Sequence, residues 1–265
     1  MYKLLFPSSY FSINKVDEDL IDEYNAAKLA GFDIVLFSYE KWFNNSKLVL
    51  NNNVEDCNII YRGWMMSPEQ YKNFYNKCNE QGLHLLTSPT SYNLFHIFPN
   101  IYDKIKNDTA RIVTYPLHSQ IDVSSVPFDR FMVKDYVKSV KDSRFPKYFI
   151  NGVEQSSFDE SMKLFYELRG DLLIGGICIK EYLDLTEEEV RVFYLNGEVL
   201  AINGYKCDLV DKYRDLGSPY YTIDFAKLND GSWKIIEVGD GSVSGLDLFS
   251  NKDGYYKSMY DKLMD

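Results

Sequence analysis

Short apolar runs alternate with amphipathic stretches in the first part of the chain. The runs at 2–6 and 32–37 are typical of buried strands. Between them, residues 17–30 begin with acidic side chains and end before Gly31, which favours a helix. A strand, a helix and a strand in this order predict a βαβ unit with a parallel sheet.

The same rhythm continues to residue 88. An apolar run at 58–61 predicts a third strand, and Ser67-Pro68-Glu69-Gln70 has the N-cap serine, the proline and the glutamine of a capping box. The helix that starts there ends at Gly82, and residues 83–86 predict a further strand. We therefore expect a small α/β domain over residues 1–88.

Beyond residue 88 the pattern changes to strands joined by tight turns, with helices between them. Ser157-Phe158-Asp159-Glu160 predicts a second capping box, which starts a helix that ends at Gly170. Asn196-Gly197 between apolar runs is a strong hairpin motif. A further hairpin is predicted from strands at 221–227 and 233–238. The fold class that these elements predict is α+β.

The last hairpin carries a carboxylate on each of its two apolar strands. If its loop has four residues, 229–232, then Asp224 lies opposite Glu237 with their Cβ atoms about 5 Å apart. A buried carboxylate is costly unless it is paired, hydrogen-bonded or bound to metal. Two facing carboxylates suit Mg²⁺, which takes its remaining ligands from substrate phosphates. The alternative is a pair of carboxylates satisfied by lysines or by backbone donors.

Composition and charge narrow the classes of function. The chain has 265 residues, of which 45% are hydrophobic and 26% charged, as in ordinary folded proteins. The net charge of −10 argues against nucleic acid as the main partner. No apolar run reaches the roughly 18–20 residues of a membrane helix, so we expect a cytoplasmic protein without a membrane partner. Four cysteines without a C-x-x-C pair argue against a zinc site or a disulfide framework.

The two carboxylates and their surroundings resemble the ATP-grasp superfamily, and within it a clade of carboxylate–amine ligases. Members have an Asp on one strand and a Glu on the next at similar spacing to Asp224 and Glu237. Gly239 stands where the family commonly has an asparagine ligand, and Asp240 is the candidate replacement. The resemblance implies ATP and Mg²⁺, with Asp224, Glu237 and Asp240 as metal ligands.

A lysine-containing segment resembles the family's phosphate-binding strand. In Phe131-Met132-Val133-Lys134-Asp135-Tyr136-Val137-Lys138, Lys134 best matches the lysine that contacts the α- and β-phosphates. Lys138 lies where relatives have a flexible glycine-rich loop, and it is the second nucleotide-binding candidate. The alternative for Lys134 is a lysine at an exposed strand end.

The segment at 175–183 resembles the hinge strand that binds adenine through backbone groups. It implies that Lys180, Glu181 and Leu183 surround the base. The next acidic run resembles the ribose-binding position of the family. Glu189 is the first candidate there, in competition with its neighbours Glu187 and Glu188.

Two arginines are the candidate catalytic residues. Arg191 follows Glu189 on the same strand, and the resemblance implies that it faces the γ-phosphate. Arg62 follows a predicted strand end, where α/β domains collect ligand-binding groups, so it is a candidate for an acidic substrate or a phosphoryl intermediate. The alternative for Arg62 is packing against Trp64 or Tyr61.

The resemblance also implies the organisation of the whole chain and its reaction. It implies an N-terminal α/β (pre-ATP-grasp) domain at 1–88 and an ATP-grasp domain at 89–265, with a lid at 115–180 and a β-rich lobe at 181–265. The implied enzyme forms a C–N bond between an amine and the carboxylate of a small molecule or peptide, through an acyl phosphate, and releases ADP and phosphate. An ATP-grasp kinase and a nucleotide-binding module without turnover are the alternatives.

Overall fold

The computed structural model describes residues 2–140, 142 and 144–264. Its strands and helices confirm the α+β class. They are, in chain order, β1 (Tyr2–Ser9), β2 (Ser12–Val16), α1 (Ile21–Ala30), β3 (Ile34–Phe37), α2 (Tyr39–Asn45), β4 (Cys57–Tyr61), α3 (Pro68–Glu80), β5 (Leu83–Leu85), α4 (Pro89–His96), α5 (Phe98–Ile105), β6 (Ile112–Pro116), β7 (Arg130–Asp135), β8 (Phe149–Ile150), α6 (Gln155–Arg169), β9 (Gly176–Glu181), β10 (Leu185–Leu195), β11 (Glu198–Ile202), β12 (Tyr220–Leu228), β13 (Trp233–Asp240) and α7 (Lys252–Met264).

The chain forms two compact units. The first unit comprises Met1–His96, Val190–Phe225 and Glu237–Asp265, and the second comprises Ile97–Glu189 and Ala226–Ile236. The predicted division into domains at residue 88, with its lid and lobe limits, stays a prediction.

A parallel sheet forms the centre of the first unit. Strand β1 pairs in parallel with β3 and β4, β4 pairs in parallel with β5, and β2 joins the end of β1 in antiparallel orientation. Leu4 and Phe6 face a core shared with α1 and α7, whereas Leu5 faces a core shared with α3. Because both faces are covered, the strands are apolar throughout. The predicted βαβ unit is confirmed.

One predicted capping box is confirmed and the other is wrong. The Ser67 hydroxyl accepts from the Gln70 backbone N–H, and the Gln70 side chain accepts from the Ser67 N–H, so α3 begins as expected. The second helix, α6, begins at Gln155 instead of after Ser157. Its Gln155 side chain accepts from the Val123 N–H and donates to the Ile121 carbonyl, which fixes the first turn by contacts distant in sequence.

An antiparallel sheet of order β6-β9-β7-β8 organises the second unit. Its register pairs Met132 with Lys180 and Lys134 with Cys178. Since alternate residues of a strand share a face, Lys134 and Lys180 lie on the same face of this sheet.

A third sheet has the order β11-β10-β12-β13. The predicted hairpin at Asn196-Gly197 is confirmed, with φ angles of 50° and 80°. The predicted four-residue loop between β12 and β13 is wrong. Gly231, at φ 88°, donates its N–H to the Leu228 carbonyl, and the Leu228 N–H donates to the Ser232 carbonyl. The turn therefore closes after three residues, because glycine accepts the left-handed conformation at its third position.

No helix within the described part of the chain is long and apolar enough to cross a membrane.

Candidate functional site

Two buried lysines meet over one aromatic ring in the second unit. The Lys134 Nζ lies 5.3 Å and the Lys180 Nζ 4.4 Å from the centre of the Phe98 ring. Lys134 is 8% exposed and Lys180 is 6% exposed. The alternative of an exposed Lys134 is therefore wrong. Burying two like charges on one face of a sheet is costly, so this face of the unit is suited to an anionic partner.

A hydrogen bond fixes the position of the Lys180 ammonium group. Its Nζ donates to the Ile236 carbonyl at 2.7 Å. This contact joins β9 to the residue that precedes Glu237 in β13.

The turn that carries Lys138 is built around a fully buried carboxylate. One oxygen of Asp135 accepts from the backbone N–H groups of Val137 and Lys138, both at 2.6 Å. The other oxygen accepts from Arg169 at 2.9 and 2.6 Å. Lys138 itself is exposed, so the structure presents its side chain to solvent at a rigid turn.

Glu181 is held by an arginine at the end of β9. Arg111 donates to its carboxylate at 3.0 and 2.7 Å. These hydrogen bonds hold the pKa of Glu181 below its ordinary value. The backbone N–H of Glu181 also donates to the Arg111 carbonyl at 2.9 Å. Leu183 follows in the loop after β9 and is half-buried.

The three consecutive glutamates of β10 have different surroundings. Glu188 accepts from Lys227 of the neighbouring strand at 2.9 Å, a cross-strand ion pair. Glu187 and Glu189 are exposed. The ion pair gives Glu188 a structural role, which argues against Glu188 as the ribose ligand.

Asp224 and Arg191 form a bidentate ion pair in the first unit. The Arg191 Nε and Nη2 donate to the two oxygens of Asp224 at 2.8 and 2.7 Å, and the Asp224 side chain is 4% exposed. The Arg191 Nη1 also donates to the Gly245 carbonyl at 3.3 Å. A buried carboxylate needs such a partner, and this fork geometry is the strongest that a side chain offers.

Glu237 lies on the strand next to Asp224. The Gly241 N–H donates to the Tyr220 carbonyl at 3.2 Å, and the Thr222 hydroxyl contacts the Gly239 carbonyl. Two residues further along both strands, this register sets Asp224 opposite Glu237. The pairing thus follows from the strand, although the loop length from which it was predicted is wrong.

Metal ligation by this pair alone would be incomplete. Over residues 2–140, 142 and 144–264, no group of three or more His, Cys, Asp or Glu side chains is placed to hold a metal ion. Two carboxylates still fit Mg²⁺, because this ion commonly binds one or two protein carboxylates and completes its shell with water and phosphate oxygens.

Asp240 does not share a face with Glu237. The two residues are three positions apart on β13, so their side chains point to opposite faces of the strand. One oxygen of Asp240 accepts from the Ser242 N–H at 2.9 Å, and the other is buried with no hydrogen-bond partner among the described residues. Burial raises the pKa of Asp240 to about 7. The strand geometry therefore argues against Asp240 as the replacement ligand beside Glu237.

Arg62 is part of the core of the first unit. It is 2% exposed, and its Nε and Nη2 donate to Glu23 at 3.1 and 2.6 Å. Its Nη1 donates to the carbonyls of Gly241 and Ser244, the second at 3.0 Å. This side chain holds the loop after β13 in place, and its position corrects the expectation of a substrate-binding arginine. Its donors are directed at protein acceptors.

Sequence reasoning missed Glu23, the partner of Arg62. The signal was present in α1, where Glu23 shares the buried stripe with Ala26 and Ala27. A carboxylate on such a stripe requires a buried cation.

Comparison with known proteins agrees with this geometry. A family model described as an ATP-grasp domain, the third family of its clade, matches residues 125–259, just over half of the chain. No curated protein matches the chain by sequence.

Several solved structures share its fold. The D-cycloserine synthetase DcsG is 12% identical with a TM-score of 0.63, and the match covers 99% of this chain and 100% of that one. A RimK domain ATP-grasp protein from Sphaerobacter thermophilus is 10% identical with a TM-score of 0.62, over 99% and 100% of the two chains. The ATP-grasp ligase PsnB, complexed with a minimal precursor, Mg and ADP, is 11% identical with a TM-score of 0.60, over 98% and 97%.

At these identities the likeness to solved structures establishes the fold alone, and the family model establishes the family. The chain belongs to the ATP-grasp superfamily, in the clade family whose model it matches.

Proposed function

We propose that this protein is an ATP-dependent ligase that joins a carboxylate to an amine. The observation that carries the proposal is the pair of buried lysines, Lys134 and Lys180, held over one ring on one face of the β6–β9 sheet. Two compact ammonium groups at a buried position suit the phosphates of a nucleotide. The ATP-grasp family and the ligases and synthetases that share the fold support the same class of reaction.

Nucleotide roles follow from the surroundings of each candidate. Lys134 and Lys180 bind the phosphates, and Lys138 contributes an exposed positive charge at the turn after β7. Glu181, which Arg111 keeps ionised, and Leu183 lie next to the adenine. Glu189 accepts the ribose hydroxyls in preference to Glu188, which is paired with Lys227.

Magnesium is proposed to bind Asp224 and Glu237. The ion supplies charge neutralisation for the phosphates when it is bound. Asp224 is already close to the cationic Arg191, so the same carboxylate orients an arginine that balances negative charge on the γ-phosphate.

The proposed chemistry has two steps. An oxygen of the substrate carboxylate attacks the γ-phosphorus of ATP, the bond to the β,γ-bridging oxygen breaks, and ADP leaves. The amine nitrogen then attacks the carbonyl carbon of the acyl phosphate, and phosphate leaves with one oxygen of the original carboxylate. The amine loses one proton, and no covalent bond to the protein is needed.

The substrates are proposed by class. PsnB is complexed with its precursor, and the macrocyclase MdnC with a precursor peptide, whereas DcsG is a D-cycloserine synthetase. A peptide or a small molecule that carries a carboxylate is therefore the expected first substrate, and an amine is the expected acceptor.

The first experiment measures thermal unfolding with and without MgATP. A ligand at about 100-fold over its Kd stabilises the fold by about 2.7 kcal/mol. We expect this stabilisation to require magnesium and to be lost in Lys134→Ala. Lys77→Ala, which changes an exposed lysine paired with Glu80, is the matched control. The proposed nucleotide site is wrong if wild type is not stabilised by millimolar MgATP.

The second experiment separates a ligase from its alternatives. Carboxylates are offered with hydroxylamine as the amine, and a ligase gives a hydroxamate, ADP and phosphate. Substrate labelled with ¹⁸O in its carboxylate should transfer one labelled oxygen to the released phosphate. A phosphorylated acceptor without free phosphate would identify a kinase, and nucleotide binding without ADP formation would identify a silent module.

A further inference from the structure

A single phenylalanine contacts both buried ammonium groups. Phe98 is the first residue of α5, and its side chain is 3% exposed. The ring lies within 6 Å of the Nζ atoms of both Lys134 and Lys180, the range of cation–π attraction.

The backbone at Phe98 fixes this ring relative to β7. Its N–H donates to the Tyr136 carbonyl at 2.9 Å, directly after the strand that carries Lys134. The Tyr136 ring in turn packs on Gly175 and Gly176, where an added Cβ would lie 2.2 and 2.7 Å from ring atoms. The start of α5, the turn after β7 and the start of β9 therefore form one packed group.

The electrostatics of this contact are unusual for a core aromatic. Two cations on neighbouring strands repel each other, and a neutral ring cannot cancel their charge. The negative face of the ring lowers the cost of burying them without taking the place of an anion. A carboxylate at the same position would neutralise the lysines and compete with a phosphate.

We propose that Phe98 is a positioning residue for polyphosphate binding, because its ring holds the Lys134 and Lys180 ammonium groups together in a buried position. This inference rests on the proposed function, since it assumes that the two lysines bind phosphates. Without the ring's negative face, the lysines would leave this position more readily, and a polyphosphate would meet them less organised.

Fluorinated phenylalanines at position 98 test the electrostatic contribution with little change of shape. Mono-, di- and trifluorophenylalanine progressively weaken the negative face of the ring. We expect the Kd of MgADP and of inorganic tripolyphosphate to rise steadily along the series, by about tenfold at the trifluoro derivative. Phe98→Trp, with a stronger cation-binding face, should retain binding, whereas Phe98→Leu should weaken it.

Phe158 provides the matched control, because it is fully buried in the same unit and contacts the rings of Phe131 and Phe149. Fluorination at Phe158 should leave both Kd values unchanged. Unfolding midpoints of the ligand-free proteins are measured along both series. A steady fall at position 98 and not at 158 supports the ring–ammonium contact, whether or not any nucleotide binds.

The possible failures are distinct. If wild type binds neither MgADP nor tripolyphosphate, the proposed nucleotide site is overturned, and with it the link from Phe98 to phosphate. If wild type binds but the Kd does not follow fluorination, the positioning role of Phe98 is overturned while the proposed function stands.

Discussion

Arg191 and Asp224 lie on neighbouring strands and form a two-pronged ion pair at 2.8 and 2.7 Å, with the carboxylate almost fully buried. The predicted γ-phosphate arginine and the predicted metal ligand are therefore direct partners. Each limits the orientation of the other, since Arg191 contacts both oxygens of Asp224.

Arg191→Ala should destabilise the protein markedly. The change removes the bidentate partner of a buried carboxylate, which typically costs about 3–5 kcal/mol. The free energy of unfolding is measured by urea denaturation. Arg214→Ala is the control, because Arg214 pairs with Asp211 at the surface, where about 1 kcal/mol or less is expected. Equal losses in the two variants would show that the Arg191 pair contributes no more than a surface pair.

The same ion pair predicts competition between Arg191 and magnesium. In Arg191→Ala the charge of Asp224 is less compensated, so Mg²⁺ without nucleotide should stabilise this variant more than wild type. The readout is the shift of the unfolding midpoint in MgCl₂ against KCl at equal ionic strength. Adding Asp224→Asn should remove the gain. A gain that survives in the double variant would place the ion elsewhere.

Much of this site could be predicted from the sequence, because the relevant residues lie on strands with strong local patterns. Lys134, Asp224 and Glu237 are polar residues in apolar runs, and each is placed by strand alternation. Contacts made by residues distant in sequence could not be predicted in this way. Phe98 belongs to an unpredicted helix, and its relation to Lys180 exists only after the second unit has packed.

Several elements also lack a local signal. The last helix, α7, has Gly254 in its first turn and is stabilised mainly by packing Tyr255, Tyr256 and Met259 against the parallel sheet. Strand β8 has two residues and is defined only by its pairing with β7. Tertiary packing overrides local propensity at both places.

Arg62 and Glu23 should be strongly coupled in stability. Their buried pair is at 2.6 Å, with side chains 2% and 8% exposed. A double-mutant cycle with Arg62→Met and Glu23→Gln should give a coupling free energy of about 2 kcal/mol or more. The exposed pair Lys77–Glu80 should give about 0.5 kcal/mol or less in the same cycle. A small coupling at Arg62 would mean that its backbone acceptors, and not Glu23, fix the guanidinium.

Asp240 should make wild type less stable as the pH rises. Burial raises its pKa from 3.8 to about 7 in the folded state, so the folded protein keeps a proton that the unfolded chain releases near pH 4. The stabilisation is complete below about pH 4 and is lost as the pH rises to about 7, a change of a few kcal/mol at about 1.4 kcal/mol per pH unit. In Asp240→Asn the side-chain oxygen can still accept from Ser242, and no charge develops. Urea denaturation of both proteins between about pH 4.5 and 8 should therefore show a difference that grows in favour of the variant and levels off above pH 7. Paired surface carboxylates have the opposite pH dependence, but they are common to both proteins and cancel in the difference. A constant difference across this range would show that Asp240 is ionised throughout, and an unrecognised cation near its second oxygen would then be required.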